Sequence, residues 1–388
     1  MRNDLYWIWL TLKNKIQSRV MVNIVDYFGS VEEIYKCTDF SPFTGISAAG
    51  EKQLLDKSLD EAEKIVRRTE DIGGYIVTID DDDYPFLLRN IACPPYVLYM
   101  KGKHMDWKRL LTITVVGTRN YSDYGRSATE YITGALAGAG VTIVSGMARG
   151  IDAIAGCAAI RRGAETVAVL GSGLDVVYPH EYKGFYNAIS KNGVVMTEFP
   201  PGTRPLRENF PRRNRIMAGL SYGVIVMQAP EKSGALITAA HALENGRDVF
   251  AVPADIFSFG HSGTNMLIQN GAKLIISAED VIAEYPYMHI QPLKGAQSDR
   301  AVKSGAEGPA GAGGDIVKKR EPDEKLLEGL DENEACILKL LFGGSKHIDE
   351  ISRELDMKAS DTNVALTMLE LQGLVKNSGS NIFSFKEI

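Results

Sequence analysis

Cysteine is scarce, with only Cys37, Cys93, Cys157 and Cys336 among 388 residues. None forms a CxxC pair, so neither a structural zinc site nor a thioredoxin-type dithiol is indicated. Histidine occurs six times and never at metal-ligand spacing, so no metal is expected. No long hydrophobic run exists. The apolar stretch in MRNDLYWIWLTLKNKI breaks too soon for a signal or a membrane span and reads as a core helix. With scattered single thiols, this predicts a cytoplasmic protein with no membrane partner. There is no Walker A sequence and no GxGxxG after the first strand of the regular region. No nucleophile, base or acid constellation is recognisable, so no catalytic residue and no cofactor is expected. An excess of positive charge is also missing: 43 basic residues stand against 49 acidic ones. Nucleic-acid binding would need a local patch, because phosphate attraction reaches only about a Debye length.

What is present is a chain of ordinary globular composition, 45% hydrophobic and 24% charged, long enough for two to three domains. Apolar residues recur at helical spacing over 5–16, 20–28 and 54–66, predicting a helical domain over 1–70 that resembles a SAM or helix-hairpin-helix module. YIVTID and YVLYMKG read as a strand extension within 71–111. From Thr112 the runs LTITVVG, VTIVSG, TVAVLGSG, VVMTE, GVIVMQA, DVFAVPA and KLIIS are apolar and β-branched, and helical segments separate most of them. Continuous apolar strands alternating with helices predict a Rossmann-like, doubly wound, mainly parallel α/β sheet over 71–288. Residues 289–328 include SGAEGPAGAGGD and read as a flexible, protease-sensitive linker. Over 329–388, three helix candidates followed by a hairpin predict a winged helix.

In an open parallel sheet, ligands bind at the carboxyl ends of the strands. The loops there carry Gly117, Thr118, Arg119 and Asn120, then Ser145, Gly146, Arg149 and Gly150, then Gly171 and Gly173, then Lys232, Ser233 and Gly234. Glycines let backbone N–H groups approach an anion, and helix N-termini add partial positive charge. Glycine is also common wherever such turns are tight, so one loop alone says little. The stretch from Arg204 to Arg215 adds Arg204, Arg207, Arg212, Arg213 and Arg215 around Asn214, with Glu208 as its one acid. The arginine fork suits phosphate. One or two of these arginines are expected to pair with buried carboxylates instead. Asp152 is expected to cap or orient Arg149, His180 to line the rim, and His241 to face the core. Tyr121, Tyr178 and Phe210 are the aromatics nearest the loops, with a core role expected for Phe210.

These segments resemble the DNA-processing protein A family (DprA/Smf). The matching residues are Tyr84-Pro85, Val116 to Arg119, Ser145 to Asp152, Leu170 to Asp175, Tyr178-Pro179, Phe210 to Arg215 and Ser233 to Ala239. The resemblance implies single-stranded DNA binding in a positive pocket of the Rossmann-like domain, with Arg119 and Lys183 among the pocket cations. It implies self-association as a homodimer and loading of the RecA recombinase onto incoming DNA in natural transformation, with displacement or tolerance of single-strand-binding protein. The chain departs from the family pattern at Gly156, where histidine is usual, at Gln228, where glutamate is common, and at Ala254, where glycine is usual. An alternative is a nucleotide-binding enzyme or sensor of the related nucleoside-monophosphate hydrolase group. The stretch Ser233 to Ala240 lacks the carboxylate that such hydrolysis uses. The C-terminal segment 331–388 holds six basic and ten acidic residues, which predicts a protein-interaction role for it rather than DNA reading.

Overall fold

Seven runs dominated by apolar and β-branched residues need cover on both faces, and a parallel sheet between two helical layers supplies it. The computed structural model of the chain shows that sheet. It describes residues 3–288, 330–342, 344–355, 357, 359–371, 374–377 and 382–385. The expected linker over 289–328 lies outside the described residues, as does the C-terminal hairpin turn.

Five helices come first: α1 (Asn3–Thr11), α2 (Ser18–Phe28), α3 (Val31–Lys36), α4 (Ala48–Leu55) and α5 (Asp60–Asp71). The helix expected over 54–66 is broken between α4 and α5. Asp56 Oδ1 accepts the Ser58 N–H at 3.1 Å and Ser58 Oγ accepts the Asp60 N–H at 3.3 Å. Such local side-chain bonds offer the backbone an alternative to the helix. The freed Asp56 carbonyl accepts from Trp9 Nε1 and Lys13 Nζ.

The sheet is built from β1 (Tyr75–Thr78), β2 (Val97–Gly102), β3 (Thr112–Gly117), β4 (Thr142–Ser145), β5 (Thr166–Val169), β6 (Val194–Thr197), β7 (Gly223–Gln228), β8 (Asp248–Ala251) and β9 (Lys273–Leu274). Its order is β1-β2-β6-β5-β4-β3-β7-β8-β9. Strands β3 to β9 are parallel, and β1 and β2 add an antiparallel edge. The connecting helices are α6 (Phe86–Arg89), α7 (Asp123–Gly138), α8 (Ile151–Arg161), α9 (Lys183–Asn192), α10 (Asn209–Leu220), α11 (Gly234–Glu244), α12 (Ser262–Gln269) and α13 (Glu279–Ile282).

Alternation along β7 sorts the layers. Val224 and Val226 pack with Ile216 and Met217 of α10 and Ala239 of α11. Ile225 and Met227 pack with Leu136 of α7 and Ala155 of α8. The N-terminal helices are not a body apart. Trp7, Ile8 and Ile65 share one buried cluster with Val97, Tyr99, Ala168 and Val195 of the sheet. Trp7 Nε1 also donates to Asp80 Oδ2 at 2.6 Å. Residues 3–288 therefore fall in one compact unit, where two had been expected.

The second unit holds α14 (Glu332–Leu341), β10 (Lys346–His347), α15 (Ile348–Glu354), α16 (Ala359–Leu371), β11 (Val375–Asn377) and β12 (Ile382–Phe385). A capping box of Asp331 and Glu334 starts α14. Strand β10 adds a third strand to the expected hairpin, in the order β10-β12-β11. Ile337, Leu338, Ile351, Leu366, Leu369 and Phe383 form its core. Among the described residues, no helix of the chain is long and apolar enough to cross a membrane.

Candidate nucleic-acid interface

The central strand β3 has β4 on one side and β7 on the other, so the chain reverses its direction of growth there. Loops leaving β3 and β7 diverge to opposite faces and open a crevice at their carboxyl ends. A cavity of about 670 Å³ occupies it, lined by Gly117 to Asn120, Asp152, Arg207, Phe210, Asn214 and residues 232–235, among others. A second cavity of about 190 Å³ adjoins it over β4 and β5. The two share Arg119, Asn120, Ala148, Tyr178 and Phe210 as walls. The shared wall is aromatic and cationic. Tyr178 is 45% exposed, its ring lies 5.7 Å from that of Phe210, and the Arg119 guanidinium sits 5.9 Å above Phe210.

The loop after β4 shows how sequence sets this floor. Met147 adopts φ 51 and is fully buried, and Gly150 adopts φ 87. A side chain at Gly150 would run into the backbone of Thr118 and Arg119. The turn throws Arg149 outward and Asp152 inward. Asp152 Oδ2 accepts the Gly146 N–H at 3.0 Å. Burial pushes its carboxyl up, opposed mainly by the nearby Arg213 charge. It neither caps nor orients Arg149, which instead pairs with Glu181. The reason is the helical start at Ile151, which turns Asp152 under the loop while Arg149 precedes it in the turn.

Arg213 is 3% exposed. Its Nη1 donates to the Gly146 carbonyl at 2.6 Å and to the Val169 carbonyl, tying β4 to β5 beneath the cavities. Burial lowers its pKa to about 10, against the pull of Asp152. A Cβ at Gly146 would collide with this guanidinium. Arg215 is also turned inward and pairs with Glu198 at the end of β6. The cations left for an anion are others. Arg119, Arg207 and Lys232 line the larger cavity, and none has a carboxylate partner among the described residues. Asp152, nearly buried, is the acid in that wall.

The sequence-predicted residues thus divide. Gly117, Thr118, Arg119, Arg213, Asn214, Ser233 and Gly234 meet at the larger cavity, and Gly146, Arg149 and Gly171 at the smaller. Ser145, Gly150, Gly173, Lys183, Arg212 and Arg215 line neither. Ser145 is buried at the end of β4, and Gly173 donates to the Thr203 carbonyl. Lys183 is exposed at the start of α9, and Arg212 lies 5.3 Å over the Phe199 ring. His180 is exposed and lines neither cavity, although its neighbour Pro179 lines the smaller, and His241 is half-buried beside Glu244. Lys232 and Arg207 were legible as loop cations. Thr238 was overlooked, although it sits one helical turn after Gly234 and so on the same face.

The departures have local explanations. Gly156 leaves room for Phe185, whose Cζ would lie 2.6 Å from a Cβ there. Gln228 Oε1 accepts from the Ser122 N–H and hydroxyl, which a carboxylate would also do. Ala254 exchanges both backbone groups with the Asn265 amide.

A doubly wound sheet with a cation-lined crevice at its switch point defines a Rossmann-like protein. Residues 75–286 match the family described as DNA recombination-mediator protein A, and residues 321–379 match the DprA winged helix domain. Protein Smf of Synechocystis sp. is 32% identical over 383 residues, spanning 95% of this chain and 96% of that protein. The DNA processing protein DprA of Streptococcus pneumoniae is 36% identical over 73% of this chain and 98% of its own length. Its X-ray structure superposes with a TM-score of 0.65. The chain belongs to the DNA recombination-mediator protein A (DprA/Smf) family.

Proposed function

We propose that this protein binds single-stranded DNA along the two adjoining cavities and does no covalent chemistry. The observation that carries the reading is the set of three cavity cations, Arg119, Arg207 and Lys232, without carboxylate partners among the described residues. Cations left unpaired around a nearly buried acid suit a polyanion. The exposed Tyr178 beside Phe210 offers a base a stacking face. On this reading the phosphates fix the strand and the bases slide over aromatic walls, so binding tolerates any sequence. Lys183 and Arg212, exposed outside the cavities, extend the path. Arg149 joins once a phosphate displaces Glu181, while Arg213 and Arg215 hold the floor.

The family's description as a recombination mediator supports a further role, the loading of a RecA-type recombinase onto the bound strand in natural transformation. Homodimer formation is part of this reading, and Leu274 and Ile276, exposed at the β9 edge, suit it. Asp152 is committed to the β4 loop, which leaves the larger cavity without a free carboxylate for nucleotide hydrolysis. The test is oligonucleotide titration of the parent, Arg119→Ala and Lys232→Ala. Each variant is expected to weaken every sequence about equally. Unchanged affinity in both, or turnover of nucleoside monophosphates by the parent, contradicts the proposal.

A further inference from the structure

We infer that the larger cavity takes a terminal phosphate monoester, the phosphorylated end of a strand, at the N-terminus of α11. The inference rests on the single-strand reading above and adds an end preference to it.

Helix α11 is eleven residues long, and its N-cap Ser233, whose hydroxyl accepts the Ala235 N–H, opens onto the cavity with Gly234 and Ala235. A Cβ at Gly234 would meet nothing within 4 Å, so an anion can approach the backbone there. An independent feature lies one turn deeper. Thr238 is on the cavity wall and 1% exposed, yet its hydroxyl has no hydrogen-bond partner among the described residues. A threonine inside a helix commonly donates to the carbonyl one turn back. That carbonyl, of Gly234, accepts from Asn214 Nδ2 at 3.3 Å instead. A buried hydroxyl without an acceptor is costly, and a ligand oxygen that reaches the floor removes the cost.

Charge and shape select the monoester. Four cationic side chains, Arg119, Arg207, Arg213 and Lys232, stand on this wall against the one carboxylate of Asp152. An internal phosphodiester carries one negative charge. A terminal monoester carries about −1.5 to −2 near neutral pH and three acceptor oxygens. It also carries chain on one side only, so it can enter end-on down to Thr238. The strand then leaves past Phe210 and Tyr178 into the smaller cavity, with which the larger one shares that wall.

The experiment compares oligonucleotides of one sequence with a 5′-phosphate, a 3′-phosphate or neither, by anisotropy on the full chain at fixed salt. A gain of about tenfold for one phosphorylated end over the unphosphorylated strand is expected. The gain should shrink as pH falls through about 6, where the monoester takes up its second proton. Thr238→Val keeps the shape of the side chain, removes a hydroxyl that bonds to nothing, and should bring the ratio close to one. Equal binding of phosphorylated and unphosphorylated strands overturns the inference while leaving the single-strand reading intact. So does a ratio that Thr238→Val does not alter. Failure of every strand to bind overturns both.

Discussion

Arg213 and Arg119 look alike in the sequence, and the fold gives them opposite work. Arg119 leaves β3 at an exposed loop and points its charge over Phe210. Arg213 enters α10 on the face that meets the sheet and spends Nη1 on the carbonyls of Gly146, just after β4, and Val169, at the end of β5. Removing Arg213 leaves the buried Gly146 and Val169 carbonyls without this donor and takes away the charge that opposes protonation of the buried Asp152. Arg213→Ala should therefore destabilise the fold in chemical denaturation, by roughly 1–3 kcal/mol for each group left unsatisfied. Arg119→Ala should cost nearly nothing in stability and act on binding alone. A stable Arg213→Ala protein would contradict the floor role. The sequence showed a five-arginine cluster but could not divide it. Which arginine meets Glu198, and which meets strand carbonyls, depends on how α10 lies across β4 to β6, and no local pattern encodes that.

Among the elements, the strands were the most legible, because continuous apolar runs leave few alternatives to a covered parallel sheet. Helix ends were less so. The break between α4 and α5 comes from Asp56 and Ser58 bonding locally, a small effect beside the apolar period that runs through it. The contact of α8 with α9 is set by a single volume exchange at Gly156, where the Phe185 ring fills the space a larger side chain would take. Gly156→Ala should cost about 1–3 kcal/mol through overpacking. Combining it with Phe185→Leu should recover part of that loss, because the clash is with the ring. A double-mutant cycle in thermal or denaturant unfolding measures the coupling, and strictly additive effects would contradict this packing account.

At the scale of the whole molecule, charge is placed rather than accumulated. The chain is net −6, and the segment 331–388 is net −4, from six basic and ten acidic residues. Helix α16, in the place of a recognition helix, carries acids but no lysine or arginine. DNA-reading winged helices usually present a basic helix. Removing residues 330–388 should leave single-strand affinity within about tenfold, since the cavity cations all lie in the first unit; a larger loss would assign DNA contact to the second. The cationic cavity was foreseeable from loops at strand ends. Its floor was not, because burial of Asp152, Arg213 and Thr238 is a product of packing three distant segments together.

The central claim is that the strand is held by its phosphates at the β3 and β7 loops. The most direct test is a set of binding isotherms at several salt concentrations, for a single strand and its duplex, with the parent chain and Arg119→Ala. The account predicts that the single strand binds more tightly than the duplex at every salt concentration. It also predicts a log–log slope of about −0.7 per neutralised phosphate, and a slope shallower by about one contact in Arg119→Ala. Duplex bound as tightly as single strand, or an Arg119→Ala slope identical to that of the parent, would contradict it.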